Sequence, residues 1–197
     1  MARGTRQRIL EVAEDLFQHK GWAGFSYQQI AERLDIRSAA VHYHFASKTD
    51  LGVALLKRYR SSFNWWCEQL RQRKATPEVS LEGFFALERR YMDEGKVCPL
   101  GVLGVEAEGV PEEVRAEAHA LAGDVLRWLT KVLEQGNRQG VFHVAGTPES
   151  HALALMSSLQ AGLQLARTLG TDAFYTLLEQ QREQLGLARR RRAVAGG

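Results

Sequence analysis

Between Arg37 and Lys48 the chain reads RSAAVHYHFASK, and these residue types suit noncovalent recognition of a nucleic acid. A guanidinium such as that of Arg37 can pair with a guanine edge, and the methyl of Ala39 or Ala40 can touch a thymine methyl. Small side chains at Ser38, Ala39 and Ala40 let a helix sit deep in a major groove. His42, Tyr43 and His44 offer donors to phosphates or base edges. Lys48 falls in the first turn of a following helix, where its ammonium and the helix N-terminus can both attract a phosphate.

These residues need a scaffold, and the sequence around them supplies one. Thr5 to Lys20 carries Ile9, Ala13, Leu16 and Phe17 at helical spacing and ends at Gly21. Ser26 with Gln29 forms a capping box, and Tyr27, Ile30, Ala31 and Leu34 then share one face. Asp35-Ile36 interrupts. A second short helix is expected from Arg37 to His44, anchored inward by Val41 and Phe45. Ser47 with Asp50 is another capping box, opening a helix through Leu51, Leu55, Tyr59 and Phe63. Three short helices with a tight turn between the last two make the helix-turn-helix layout.

Residues 5–60 resemble the DNA-binding domain of the TetR family of bacterial transcription regulators. The matching runs are ILEVAEDLFQHKGWAGFSYQQIAERLDI and AAVHYHFASKTDL, sharpest at the aromatic–His–Phe–x–Ser–Lys–x–x–Leu stretch. The family more often has Tyr at the place of His42 and Ser or Thr at that of Arg37. The resemblance implies that Tyr43, His44 and Lys48 contact the DNA backbone, that Ser26 and Tyr27 also face phosphates, and that Arg37, Ser38, Ala39 and His42 lie nearest the bases. It further implies a homodimer formed through the last two long helices, and a middle region that binds small apolar effectors.

The rest of the chain reads as helix throughout, giving an all-α fold: an N-terminal three-helix DNA-binding domain and a C-terminal helical ligand-binding and dimerisation domain. One helix is expected from Lys48 to about Arg73 and another from Glu78 to Glu94, stopped by Gly95. A short glycine-interrupted segment follows from Cys98 to Ala107. Pro111 is expected at the first position of a long helix that stops near Gly136 or Gly140. Thr147-Pro148 opens the next, which reaches Gly170, and Thr171 is expected to cap the last. The domain boundaries read as 1–47, 48–187 and a basic tail, expected to be disordered, over 188–197. The last two helices mix small and large apolar residues, as in MSSLQAGLQLARTLG, which suits a four-helix bundle made with a second copy.

Charge is segregated along the chain. Residues 1–74 hold 13 Lys/Arg against 7 Asp/Glu, residues 75–188 hold 9 against 16, and Arg189–Arg192 bring the total to +3. A basic head on an acidic body steers the head, not the body, to DNA.

In the middle region, Trp65, Phe84, Tyr91, Leu103, Trp128 and Met156 are candidates to line an effector cavity; each also suits plain core packing. Cys98 stands between two readings. It is a structural thiol, or a thiolate favoured by Lys96 and by the start of a following helix. The stretch also resembles a TetR subgroup with a Cys-x-Leu motif before a short helix, some members of which sense electrophiles or oxidants. Cys67, beside Trp65 and Trp66, reads as packing. Neither His119 nor His151 is assigned a role.

Several classes are excluded by pattern. Two cysteines make no disulfide framework. There is no HExxH or CxxC spacing for a metal, no GxSxG, and no phosphate-cradling loop, so no cofactor is expected. MARGTRQRIL lacks the apolar stretch of a targeting segment, and no apolar run nears the ~18 residues of a membrane span, so a cytoplasmic protein is expected. The reading is a ligand-responsive, DNA-binding transcriptional regulator, a repressor released from a palindromic operator by a small molecule or electrophile, and not an enzyme. Its partners would be a double-stranded operator, an effector and a second copy. The alternatives are a helical protein-interaction module, or an enzyme using Cys98.

Overall fold

A computed structural model describes residues 4–142 and 146–187, and these are helical with no strand among them. The helices are α1 (Thr5–Lys20), α2 (Tyr27–Leu34), α3 (Ser38–His44), α4 (Lys48–Gln72), α5 (Pro77–Asp93), α6 (Pro99–Val105), α7 (Glu112–Gln139), α8 (Pro148–Leu169) and α9 (Thr171–Gln184). The basic tail over 188–197 lies outside the described residues.

The helix ends follow local chemistry. Gly21 closes α1 at φ 81°, and its N–H donates to the Phe17 carbonyl. Ser26 and Gln29 form the reciprocal capping box that starts α2. Asp35 takes a left-handed conformation (φ 52°) between α2 and α3, a place that a short polar side chain tolerates. Ser47 and Asp50 exchange side-chain to backbone bonds of 3.0 Å each, opening α4. Thr147 accepts from the Ser150 N–H at the start of α8.

Three expected ends differ. Arg37 is the N-cap of α3 and not a helical residue. Pro111 lies just outside α7; its carbonyl accepts from the N–H groups of Val114 and Arg115 at 3.1 and 3.0 Å, so it acts as the cap position. Thr171 caps nothing. Gly170, in the left-handed region at φ 92°, both ends α8 and precedes α9, so Thr171 is already inside the helix.

The chain folds as two compact units. One comprises 1–69 with 94–125, the other 70–93 with 126–197. In the first, α1, α2, α3 and the start of α4 close around Ile9, Leu16, Phe17, Phe25, Ile30, Val41, Phe45, Leu51 and Leu55. Val97, Val102, Leu103, Val110 and Val114 join the same core, so the segment carrying α6 is part of the head's packing. It is stitched to α1 at Gln18: the Val97 N–H donates to the Gln18 carbonyl (3.2 Å), and Gln18 Nε2 donates back to the Val97 carbonyl (3.4 Å).

In the second unit α8 packs along α9. At Gly162 a Cβ would lie 2.4 Å from Leu177 Cδ2, so a larger residue there would displace the leucine tip from between the two helices. The Arg182 guanidinium is buried and ion-paired with Glu82, which ties α9 to α5. Along α5, Leu81, Phe84, Phe85 and Met92 are buried, and Glu88 is buried among them.

Burial pushes the Glu88 carboxyl up to about 8 from its ordinary 4.5. The folded state therefore holds this proton more tightly than the unfolded chain. The associated stability is whole below pH 4.5 and is lost as pH rises towards about 8. Glu88→Gln removes the penalty. The variant should match the native protein at pH 4 and exceed it at pH 7 by on the order of 3 kcal/mol, about 1.4 kcal/mol for each pH unit above the ordinary value. Thermal unfolding at a series of pH values reads this directly. A stability difference that stays flat with pH would show that Glu88 is not buried as a neutral acid.

Candidate nucleic-acid interface

Helix α3 has one inward anchor and one open face. Val41 is fully buried and Phe45 nearly so, which fixes the helix against the first unit's core. Arg37, Ser38, Ala39, His42 and Tyr43 are all exposed. Positions 38 and 42, and 39 and 43, are one turn apart, so these side chains form a two-row stripe. Tyr43 is 85% exposed, its ring edge-on to His44 at 5.2 Å. The His42 ring lies 4.6 Å from that of Tyr27. Arg37 has no partner among the described residues, which leaves its five donors for an outside acceptor. This stripe of small, aromatic and cationic groups is the geometry that a major groove accepts.

Two of the expected backbone contacts point inward instead. Tyr27 is buried, and its hydroxyl donates to the Phe45 carbonyl at 3.0 Å. Burial, with the charge of Asp50, pushes this phenol up to about 12. Its single proton is spent inside the fold, so no donor remains for a phosphate. Lys48 is half-buried. Its ammonium donates to the carbonyls of Trp22 (2.6 Å) and Phe25 (2.8 Å) and lies over both rings, 4.9 and 4.4 Å from their centroids. Burial lowers its pKa, opposed by the charge of Glu106. Two of the three N–H bonds of Lys48 thus hold the turn before α2. At the start of α4, the Ser47 N–H and hydroxyl already donate to the Asp50 carboxylate. Ser26, also exposed, keeps its oxygen on the Gln29 N–H as a cap.

Glu106 has a role that the sequence reading missed. Its Oε2 accepts from the Ala23 N–H at 3.0 Å, 83 residues away, and a Cβ at Gly21 would lie 2.2 Å from its Oε1. Nothing local in the sequence signals this contact. In the same unit Lys96 is held by Glu94 (2.7 Å) and lies 3.7 Å from Asp15. Its charge is therefore shared by two carboxylates before it can act on Cys98. Cys98 is a half-buried thiol, in no disulfide, at the N-cap of α6. Burial, and the charge of Asp124, push the Cys67 thiol up to about 12, which makes it inert at neutral pH and fits its reading as packing.

The candidate cavity residues fall in both units. Trp65, Cys98 and Leu103 belong to the first, and Phe84, Tyr91, Trp128 and Met156 to the second. Leu103 is part of the head's core. Trp65 is 65% exposed. Phe84 and Trp128 do come together, with ring centroids 5.8 Å apart. A cleft in the first unit runs between α1 and α4, lined by Arg6, Leu10, Val53, Lys57, Arg58 and Glu113, and contains none of the expected residues.

An all-helical chain with an outward helix-turn-helix stripe defines a DNA-binding regulator. Residues 9–55 match the family "Bacterial regulatory proteins, tetR family", and residues 80–181 match "Tetracyclin repressor-like, C-terminal domain". The chain belongs to the TetR family of bacterial transcription regulators, and so to a family of DNA-binding proteins and not of enzymes. It is 27% identical to the transcriptional repressor NicS of Pseudomonas putida over 79% of this chain and 73% of that protein. It is 23% identical to the repressor NemR of Escherichia coli over 81% of this chain and 83% of that one. A TetR-family regulator from Agrobacterium tumefaciens superposes with a TM-score of 0.85 at 28% identity, over 91% of this chain and 96% of that one. One from Legionella pneumophila does so at 0.83 and 28%, over 93% and 98%.

The inward and outward cations should separate cleanly on mutation. Lys48→Met loses two charge-assisted bonds to backbone carbonyls and should lower stability by about 2–3 kcal/mol, read by urea unfolding. Arg37→Ala should leave stability within about 0.5 kcal/mol and weaken DNA binding by about 5–100-fold. An unchanged unfolding midpoint in Lys48→Met would show that the ammonium is free for DNA.

Proposed function

We propose that the chain is an effector-responsive transcriptional repressor acting in the cytoplasm as a homodimer, with one α3 in each half-site of a palindromic operator. The observation that carries the DNA reading is the exposed stripe Arg37, Ser38, Ala39, His42 and Tyr43 on a helix whose opposite side is locked by Val41. Residues 1–47 read the DNA, with Ser26 and His44 at the phosphate edge. Residues 48–187 take the effector and the second copy. Among the relatives are proteins named as transcriptional repressors, which supports repression over activation.

The dimer surface proposed is the open face of α8. Ala154, Ser157, Ala161, Leu165 and Leu169 are exposed at three- and four-residue spacing, with Leu153 alongside. Small residues backed by leucines let two copies approach closely, and unburied leucines on a helix face favour a partner. A dimer sets the two reading helices about one DNA turn, ~34–36 Å, apart. An effector then releases DNA only through unequal affinity for the bound and unbound conformers.

Membership of the Cys-x-Leu subgroup rests on Cys98-Pro99-Leu100, and in that version Cys98 is the sensor. Cys98→Ser should then abolish release of DNA by an electrophile such as N-ethylmaleimide and leave DNA affinity unchanged. Release that persists in the serine variant removes the thiol version alone.

The deciding experiment is binding to a labelled fragment from the gene's own upstream region, against unrelated competitor DNA, across 50–200 mM salt. Binding that survives competitor and falls by about 10³-fold or more over that range is expected. Absence of salt-dependent binding to any DNA would overturn the reading in favour of a helical interaction module.

A further inference from the structure

Glu88 is a carboxyl placed where α5 otherwise carries hydrocarbon. Leu81, Phe84, Phe85 and Met92 share its side of the helix, at spacings of three, four and seven residues, and all are buried. Glu88 itself is 4% exposed, and its Oε2 has no hydrogen-bond partner among the described residues. A buried acceptor without a donor destabilises a fold by about 1–3 kcal/mol, and more if charged. Such groups persist where something else supplies the donor. One turn before it, Phe84 meets Trp128 at 5.8 Å. Leu87, Tyr91 and Trp128 are only half-buried, so the aromatic patch beside the carboxyl has an open side.

We propose that Glu88 is the polar anchor of the effector site, and that it selects an apolar ligand carrying a protonated amine. The proposal rests on the effector-binding reading above and names the chemistry of that site. An ammonium supplies three donors to the two carboxylate oxygens, and the faces of Phe84 and Trp128 attract a cation through their ring quadrupoles. A neutral ligand with one hydroxyl donor satisfies Glu88 less well. A ligand carboxylate would have to give up its own hydration in a dry setting that offers it no cation, and it would face the negative ring faces of Phe84 and Trp128. Desolvation raises the proton affinity of Glu88, and an ammonium brought beside the carboxyl would displace that proton and take its place as partner.

Three probes sharing one apolar body test this on the full-length protein: 4-phenylbutylamine, 4-phenylbutanol and 4-phenylbutyrate, titrated by calorimetry. The amine should bind about tenfold or more tightly than the alcohol, as a charge-assisted bond implies, and the carboxylate weakest of the three. In Glu88→Gln the amine and the alcohol should come within about threefold of each other, because the amide keeps the shape and removes the charge. The ranking in the native protein decides the question even if the variant does not fold. Equal affinity of amine and alcohol, a preference that survives in Glu88→Gln, or no binding by any probe would overturn the proposal. An alcohol that binds as well as the amine and releases DNA would leave the effector reading standing and remove only the role of Glu88.

Discussion

The Lys48 ammonium is the strut of the reading head. It sits under two backbone carbonyls, Trp22 and Phe25, and over their two rings, at the junction of the α1–α2 turn with the first residue of α4. A cation taken this far from water needs compensation, and here it comes from carbonyl dipoles and ring faces together. The position of α2 follows, since its cap at Ser26 is the next residue after Phe25. So does the seat of α3, because Tyr27 at the head of α2 holds the Phe45 carbonyl at the end of α3. Four of the five exposed side chains therefore stand on a helix of seven residues, with Arg37 at its N-cap; that helix would have little stability alone and is positioned from both of its neighbours.

Much of this was legible in the sequence because it is local. Both capping boxes, the glycine at the end of α1 and the Val41–Phe45 anchor follow from spacings of three or four residues. Most of the outward residues of α3 were legible for the same reason: once Val41 is inside, Ala39 and Tyr43 lie opposite it and His42 on the flank. The direction of Tyr27 and Lys48 was not. Each has an apolar stem and a polar tip, so its type suits solvent or core equally, and only partners more than fifteen residues distant decide between them. Glu106 is the extreme case, a surface-type residue whose partner is a backbone N–H in a turn near the other end of the chain. Glu88 was legible in principle as a charge on the apolar stripe between Phe84 and Met92, and was passed over because the helical pattern reads correctly without it. Gly170 misled for another reason, since one glycine serves both as the end of α8 and as the cap of α9.

The two units differ in how they handle charge. In the first, cations and anions meet at the edges of helices: Arg58 with Glu14, Arg60 with Asp124 at 2.5 Å, Lys57 with Glu117. The α3 stripe stands apart from these pairs, with Arg37 at its leading edge. In the second unit, ionisable groups lie inside: the buried Arg182 guanidinium pairs with the half-buried Glu82, and Glu88 is buried as a neutral acid. Buried ionisable groups of this kind add little to stability. A head that meets a polyanion and a body that meets a small ligand thus use the same residue types in opposite environments.

The contact between Glu106 and the Ala23 N–H bears on how this regulator can be recombined. A chimera cut between Ser47 and Lys48 would carry the reading helices but leave behind the carboxylate that satisfies the α1–α2 turn, and the Val97 strip that pairs with Gln18. The transplanted head would reach its new body with the Ala23 N–H stripped of its carboxylate and an apolar seam uncovered. The compact unit that carries α3 is discontinuous, 1–69 together with 94–125, so a graft that keeps these contacts has to take the α6 segment with it.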